Sequence, residues 1–228
     1  MLERVDEGVW VAAAPLKFKG LHLGTRMTVA RLPGGDLWVH SPIALTPELR
    51  AEVDALGPVR HIVAPNLFHH MFAGQWQAAY PSASLWGPAA LARKRKDLKL
   101  TSTLEQASGA PWANELAPLH IDGCMLDETV FVHGPTRTLV ASDITENFTT
   151  SPHWLTRTYL KMAGIHGRIG FSRLLRFLYR DRPAARRSID TLLTRDFDRI
   201  VLAHGDVIPD GGKQALQSTY GFLGGGRP

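Results

Sequence analysis

Ten histidines are spread along the 228 residues, and those able to do chemistry stand where apolar runs stop. Ile62-Val63-Ala64 leads through Pro65-Asn66-Leu67-Phe68 to the adjacent pair His69-His70. Leu139-Val140-Ala141-Ser142 ends on Asp143, and Ile200-Val201-Leu202-Ala203 ends on His204. Neutral imidazole and carboxylate are ligands for zinc, iron and manganese. Open α/β sheets collect ligands beyond the C-terminal ends of their strands. The pattern therefore predicts one divalent metal ion, zinc first and iron or manganese next, on His69, His70, Asp143 and His204. Each residue has an ordinary reading too: helix capping for Asp143, strand-end packing for His204, one cap and one core contact for the His pair. Their joint occurrence at three strand ends favours the metal. His120 and Asp122 share one face of a strand and form a weaker alternative pair.

Adjacent strand residues point to opposite faces, so His69 and His70 can converge only where the backbone turns, and Pro65-Asn66 supplies the turn. The elements that must hold these ends are short. Val9–Ala12 reads as a strand, and residues 27–32 and 37–40 as a hairpin around Pro33-Gly34-Gly35-Asp36. Thr46 caps a helix with Pro47 at its first position and Gly57 past its end. A helix is expected from Met71 to Tyr80, a strand over 84–87, and a helix from Pro88 into Arg93-Lys94-Arg95-Lys96. Residues 97–114 read as loop, and 115–121, 129–133 and 137–142 as strands. Residues 144–198 read as a helical, basic insertion broken near Gly164–Gly170. A last helix follows Gly211, with a tail at Gly224-Gly225-Gly226 expected to fray. Many short strands with helices able to cover them predict an α/β (α+β) class, with two mixed sheets flanked by helices.

Composition sets the outer limits. With 44% hydrophobic residues the chain can bury a core without disulfides, and no linker or repeat divides it, so a single domain is expected. The lone Cys124 cannot form an intramolecular bridge, the first residues are charged, and no apolar run reaches a membrane span, which together predict a cytoplasmic protein. Net charge is +5. Much of the excess lies between Arg157 and Arg187, where only Asp181 is acidic. No nucleic-acid recognition motif accompanies it. The basic segment reads as a solvated helix face, as a cap offering arginines to an anionic or amphiphilic small molecule, or as a peripheral membrane contact.

The order of these features resembles the metallo-β-lactamase superfamily, a four-layer αββα sandwich. The family's Thr-His-x-His-x-Asp-His motif, laid without gaps on the chain, places His on Pro65 and Leu67, Asp on His69 and the last His on His70. Its bridging Asp matches Asp143 and its late Gly-His-Gly matches Ala203-His204-Gly205. Its next His element is similar in position to Gly123-Cys124-Met125. The chain also resembles the DUF4336 group within that superfamily through Ser41-Pro42, Ala64-Pro65-Asn66…His69-His70 and His204-Gly205.

The resemblance implies that the first of the family's two metal sites is lost, because Pro65 and Leu67 cannot ligate. The second is retained with His69 in place of an acid. It implies a mononuclear metallohydrolase with metal-bound hydroxide as nucleophile and with Asp143 and His70 as catalytic residues. His40 would orient a ligand imidazole from behind, and Cys124 would face the lost first site; His120 and Asp122, paired by strand alternation alone, are further pocket candidates. The alternative is a metal-free binding or scaffold protein that keeps the fold.

Overall fold

The structure, a computed structural model, describes residues 1–224. Strands β1 (Glu3–Asp6) and β2 (Val9–Ala14) precede a short hairpin, β3 (Lys17–Phe18) and β4 (Leu21–His22). Then come β5 (Thr25–Arg31), β6 (Leu37–His40), β7 (Val59–Val63), β8 (Ser84–Gly87) and β9 (Ser102–Thr103). All but the hairpin join in a seven-stranded sheet ordered β1-β2-β5-β6-β7-β8-β9, antiparallel up to β6 and parallel beyond it. Next along the chain are β10 (Leu116–His120), β11 (Thr129–His133), β12 (Thr138–Val140), β13 (Glu146–Phe148), β14 (Arg168–Gly170) and β15 (Arg199–Val201). Strands β10-β11-β12-β15 form a four-stranded sheet whose last pair is parallel, and β13 pairs with β14. The helices are α1 (Pro47–Asp54), α2 (Ala73–Ala79), α3 (Ala89–Lys94), α4 (Trp154–Ala163), α5 (Arg182–Thr194) and α6 (Gly212–Thr219).

Strand alternation sorts the core into layers. Trp38, Val63 and Trp86 of the large sheet pack with Phe131 and Val140 of the small one, and Trp112 fills between them. Their sequence neighbours point the other way. Leu37, Val39, Ile62 and Leu85 meet Leu49 and Val53 of α1, Trp76 of α2 and Leu91 of α3. Val130, Val132, Leu139 and Ile200 meet Ile189 and Leu192 of α5 and Leu216 of α6. The result is the four-layer αββα sandwich that the sequence implies. In both sheets the parallel pair, β6 with β7 and β12 with β15, directs C-terminal ends to one edge.

Thr46 caps α1 as read, its Oγ1 accepting from the Leu49 amide at 3.2 Å. Three expectations change. Residues 97–114 contain β9 and a 3-10 turn, Leu104–Gly109, rather than loop alone. The 144–198 insertion is not simply helical: β13 and β14 lie in it, each three residues long and so too short for alternation to register. Its expected middle helix is a 3-10 turn, Arg173–Leu178, with no buried residue to anchor a longer α-helix. Gly225 and Gly226 of the expected tail lie outside the described residues. No helix among the described residues is long and apolar enough to cross a membrane.

Candidate metal centre

Three side chains from three strand ends converge at the shared edge. His69 Nε2 lies 3.3 Å from Asp143 Oδ1 and 3.2 Å from His204 Nε2, and His204 Nε2 lies 3.3 Å from the same Asp143 oxygen. The donor atoms thus form a nearly equilateral triangle. Donors bonded at about 2.0–2.1 Å to a tetrahedral ion stand about 3.3 Å apart, so the triangle matches one face of such a site. Among the described residues this is the one group of three or more His, Cys, Asp or Glu with that convergence.

Each donor is held from behind. Ser41 Oγ lies 2.7 Å from His69 Nδ1, and the Gly24 carbonyl lies 2.8 Å from His204 Nδ1. A carbonyl can only accept, so His204 carries a proton on Nδ1, which makes Nε2 the nitrogen turned to the centre. Ser41, just past β6, has φ of 51°, a strained conformation for a residue with a side chain. Gly205 has φ of 87°, and a Cβ there would meet the Asn147 carbonyl oxygen at 2.1 Å. Only glycine lets the chain turn after His204 beneath β13.

Asn66 ties the His turn to the carboxylate. Its Oδ1 accepts from the amides of Phe68 and His69, both at 2.8 Å, an Asx-type turn that sets the His69 backbone. Its Nδ2 donates to Asp143 Oδ2 at 2.7 Å and to Glu128 Oε2 at 3.1 Å. Glu128 is fully buried and also accepts from the amides of Ser142 (2.7 Å) and Asp143 (3.0 Å). All these partners are donors, the pattern of an ionised carboxylate.

Burial raises Glu128, and the adjacent Asp143 charge adds to the rise. Burial also pushes Asp143 upward, but His69 and His204 outweigh it and hold that carboxyl well below the usual range. Burial lowers His204, while its Asp143 contacts and Glu146 bring the net shift upward. Burial raises Glu146, itself sensitive to His204 and Asp143, to about 7, and its Oε2 has no hydrogen-bond partner among the described residues.

His70, the expected fourth ligand, is not in the group. Its Nδ1 lies 3.0 Å from Arg95 Nη1, a donor, so that lone pair is already engaged, and its ring turns toward α3 rather than Asp143. Burial and the nearby Lys94 and Arg95 charges lower its pKa. His40 lies on the inner face, stacked on Trp38, with no hydrogen bond to either ligand imidazole. Burial and His69 lower it to about 3. The contact with His69 expected of His40 is made by its neighbour Ser41. Ser41→Ala should therefore weaken divalent-ion binding about 10–100-fold with an unchanged fold. Calorimetric titration of metal-free protein checks this, and equal affinities would remove Ser41 from the centre.

None of the remaining expected pocket residues contributes to the triangle of donor atoms. His120 pairs loosely with Asp122 (3.9 Å) and Asp127 (3.6 Å) on a partly exposed surface. Cys124 packs against the α5–α6 side core, and its backbone pairs with that of Tyr179 in an isolated antiparallel bridge. Burial pushes its thiol up to about 11. At neutral pH its alkylation by iodoacetamide should run about a hundredfold or more below that of a free thiol of pKa about 8.5. Ordinary reactivity would place it in an open site instead. Asn66, Glu128 and Ser41 are not among the expected site residues, although Ser41-Pro42 and Ala64-Pro65-Asn66 stand in the motifs that carry the resemblance.

Residues 7–168, well over half the chain, match the family model described as a domain of unknown function, DUF4336. No curated protein matches the sequence. Among solved structures, the fold is similar to DIM-1 metallo-β-lactamase exposed to ceftazidime, at TM-score 0.69 and 13% identity over 98% of this chain and 97% of that one. It is also similar to a metallo-β-lactamase from Pontibacter korlensis, at TM-score 0.66 and 13% identity over 98% of each chain. VMB-1 matches at TM-score 0.68 and 10% identity over 98% and 95%. At such identities the likeness establishes the fold alone.

Proposed function

The chain belongs to the DUF4336 family and has a metallo-β-lactamase fold, and from that premise we propose that it is a hydrolase dependent on one divalent ion held by His69, Asp143 and His204. The observation that carries this reading is the triangle of donor atoms, spaced for a single ion and each fixed by a further hydrogen bond. Three protein donors are the catalytic pattern, since structural zinc sites close all four positions with protein. His70 on Arg95 strengthens the reading, because it leaves a position open. A bound divalent ion supplies Lewis-acid polarisation and lowers the pKa of a coordinated water from about 15.7 to about 7. Two neutral imidazoles and one carboxylate would leave a divalent centre at net charge +1. The same donor set suits iron(II) as well as zinc.

The protein's own part is orientation. Ser41 and the Gly24 carbonyl fix the two rings, while Asn66 and the Glu128-held backbone fix Asp143. The solved relatives named metallo-β-lactamases suggest a small-molecule substrate. No residue here selects lactam over ester, thioester or phosphodiester, so the bond cleaved is to be found by assay. The test is hydrolysis of that substrate panel by metal-free protein before and after adding one equivalent of zinc, manganese or, anaerobically, iron(II). Metal-restored turnover of one class supports the proposal. An ion that binds stoichiometrically yet restores no turnover favours a non-catalytic binding protein.

A further inference from the structure

Between α4, β14, the 3-10 turn at Arg173–Leu178 and the end of α6 lies a cavity of about 340 Å³. That volume falls within the range of small-ligand pockets, about 300–1,000 Å³. Arg168, Arg173 and Arg176 line it, together with Ser218 and Thr219, and no acidic residue does. None of its lining residues is a donor of the metal centre or hydrogen-bonds to one. The surrounding chain is uniformly basic, for residues 147–180 contain six Lys or Arg and no Asp or Glu.

Two of the arginines are fixed by the fold rather than waving in solvent. Arg173 donates through Nε to the Met162 carbonyl at 2.8 Å, which holds its guanidinium against the end of α4. Its plane lies so close to Gly164 that a Cβ there would meet it at 3.0 Å. Arg176 lies over the Phe222 ring at 4.3 Å, and its Nε is buried with no acceptor. Stacking on a ring occupies the face of a guanidinium and leaves its in-plane N–H groups to seek an acceptor. Three guanidinium groups around one cavity, with no carboxylate among its lining residues, mark a place for an anion. Arg168 is exposed and has no side-chain hydrogen bond among the described residues. The apolar side chains of Ile169, Leu174 and Phe177 are exposed on the same segment.

We propose that this cavity binds a phosphate-type oxyanion, carried either by a soluble phosphorylated molecule or by a lipid headgroup. Arg176 and Arg173 supply guanidinium charge held in place by the fold, and Arg168 adds charge at the rim. The cavity exceeds what a bare phosphate fills, which leaves room for the group that carries it. This site is independent of the metal and of the proposed hydrolase activity.

The test is calorimetric titration of inorganic phosphate into chelator-treated full-length protein, with chloride at equal ionic strength as control. Arg173→Gln/Arg176→Gln should bind about tenfold or more weakly, from the loss of charge-assisted hydrogen bonds. Arg173 also braces α4, so Arg168→Gln, which touches no structural contact, serves as a second variant and should weaken binding several-fold at an unchanged melting temperature. Co-sedimentation with phosphatidylcholine vesicles, with and without phosphatidic acid, distinguishes the sources. Retention on phosphatidic acid that the variants lose identifies a headgroup; phosphate binding without retention identifies a soluble ligand. Absence of phosphate binding, or equal binding by wild type and variants, would overturn the proposal.

Discussion

Asp143→Ala is expected to abolish stoichiometric binding of a divalent ion. Asp143 Oδ1 is the one anionic donor of the triangle and the atom that both imidazoles approach at 3.3 Å. Without it two neutral rings remain, and a buried divalent charge would have no compensating anion. Losing a group that merely orients a ligand typically costs 10–100-fold in affinity, so removing this donor should exceed that range and carry any metal-dependent turnover with it. The fold should survive, because both sheets close through apolar layers that do not include Asp143. The check is metal content after dialysis against limiting zinc, with circular dichroism confirming structure. A variant that retained one equivalent would remove Asp143 from the centre.

Glu128→Ala should produce the largest loss of stability. Its carboxylate is the shared acceptor for the Ser142 and Asp143 amides and for Asn66 Nδ2, all in a buried setting. Truncation orphans three donors at about 1–3 kcal/mol each. Repulsion between Glu128 and Asp143, which helps raise the Glu128 pKa, opposes this and is relieved by the same change. The donors outnumber the single repulsion, so a net loss of about 3–5 kcal/mol is expected. For a chain of this size that corresponds to a fall in melting temperature of about 6–20 °C. Glu128→Gln keeps one acceptor oxygen without the charge and should lose less. Denaturant unfolding of the three proteins checks the order, and a Glu128→Ala variant as stable as wild type would show that repulsion dominates.

The sequence makes some of this centre legible and hides the rest for physical reasons. His69, Asp143 and His204 stand out because each ends an apolar run, and parallel strands bring such ends to one edge. The layers follow equally well, since Trp38 against Leu37 and Val39 is a two-residue period. His70 misleads because its fate depends on Arg95, twenty-five residues away and outside any periodic pattern. His40 misleads by one position: the chain turns at Ser41, so the serine hydroxyl reaches His69 while the imidazole stays in the sandwich. Asn66 and Glu128 are types that most often serve turns and surfaces. Burial and their mutual contact give them their roles, and neither is visible along a single chain. β13 and β14 escape notice because three residues carry too little alternation, although β13 supplies the backbone under which Gly205 turns.

The most direct measurement is the metal content of full-length protein purified without a histidine tag, taken with the melting temperature before and after chelation. About one equivalent of zinc, iron or manganese per chain is expected, with a melting temperature that falls on chelation and returns on adding the ion, because a ligand preferring the folded state must stabilise it. Protein that is folded and metal-free as isolated, with a melting temperature that saturating zinc, manganese and iron(II) leave unchanged, would contradict a metal centre on His69, Asp143 and His204.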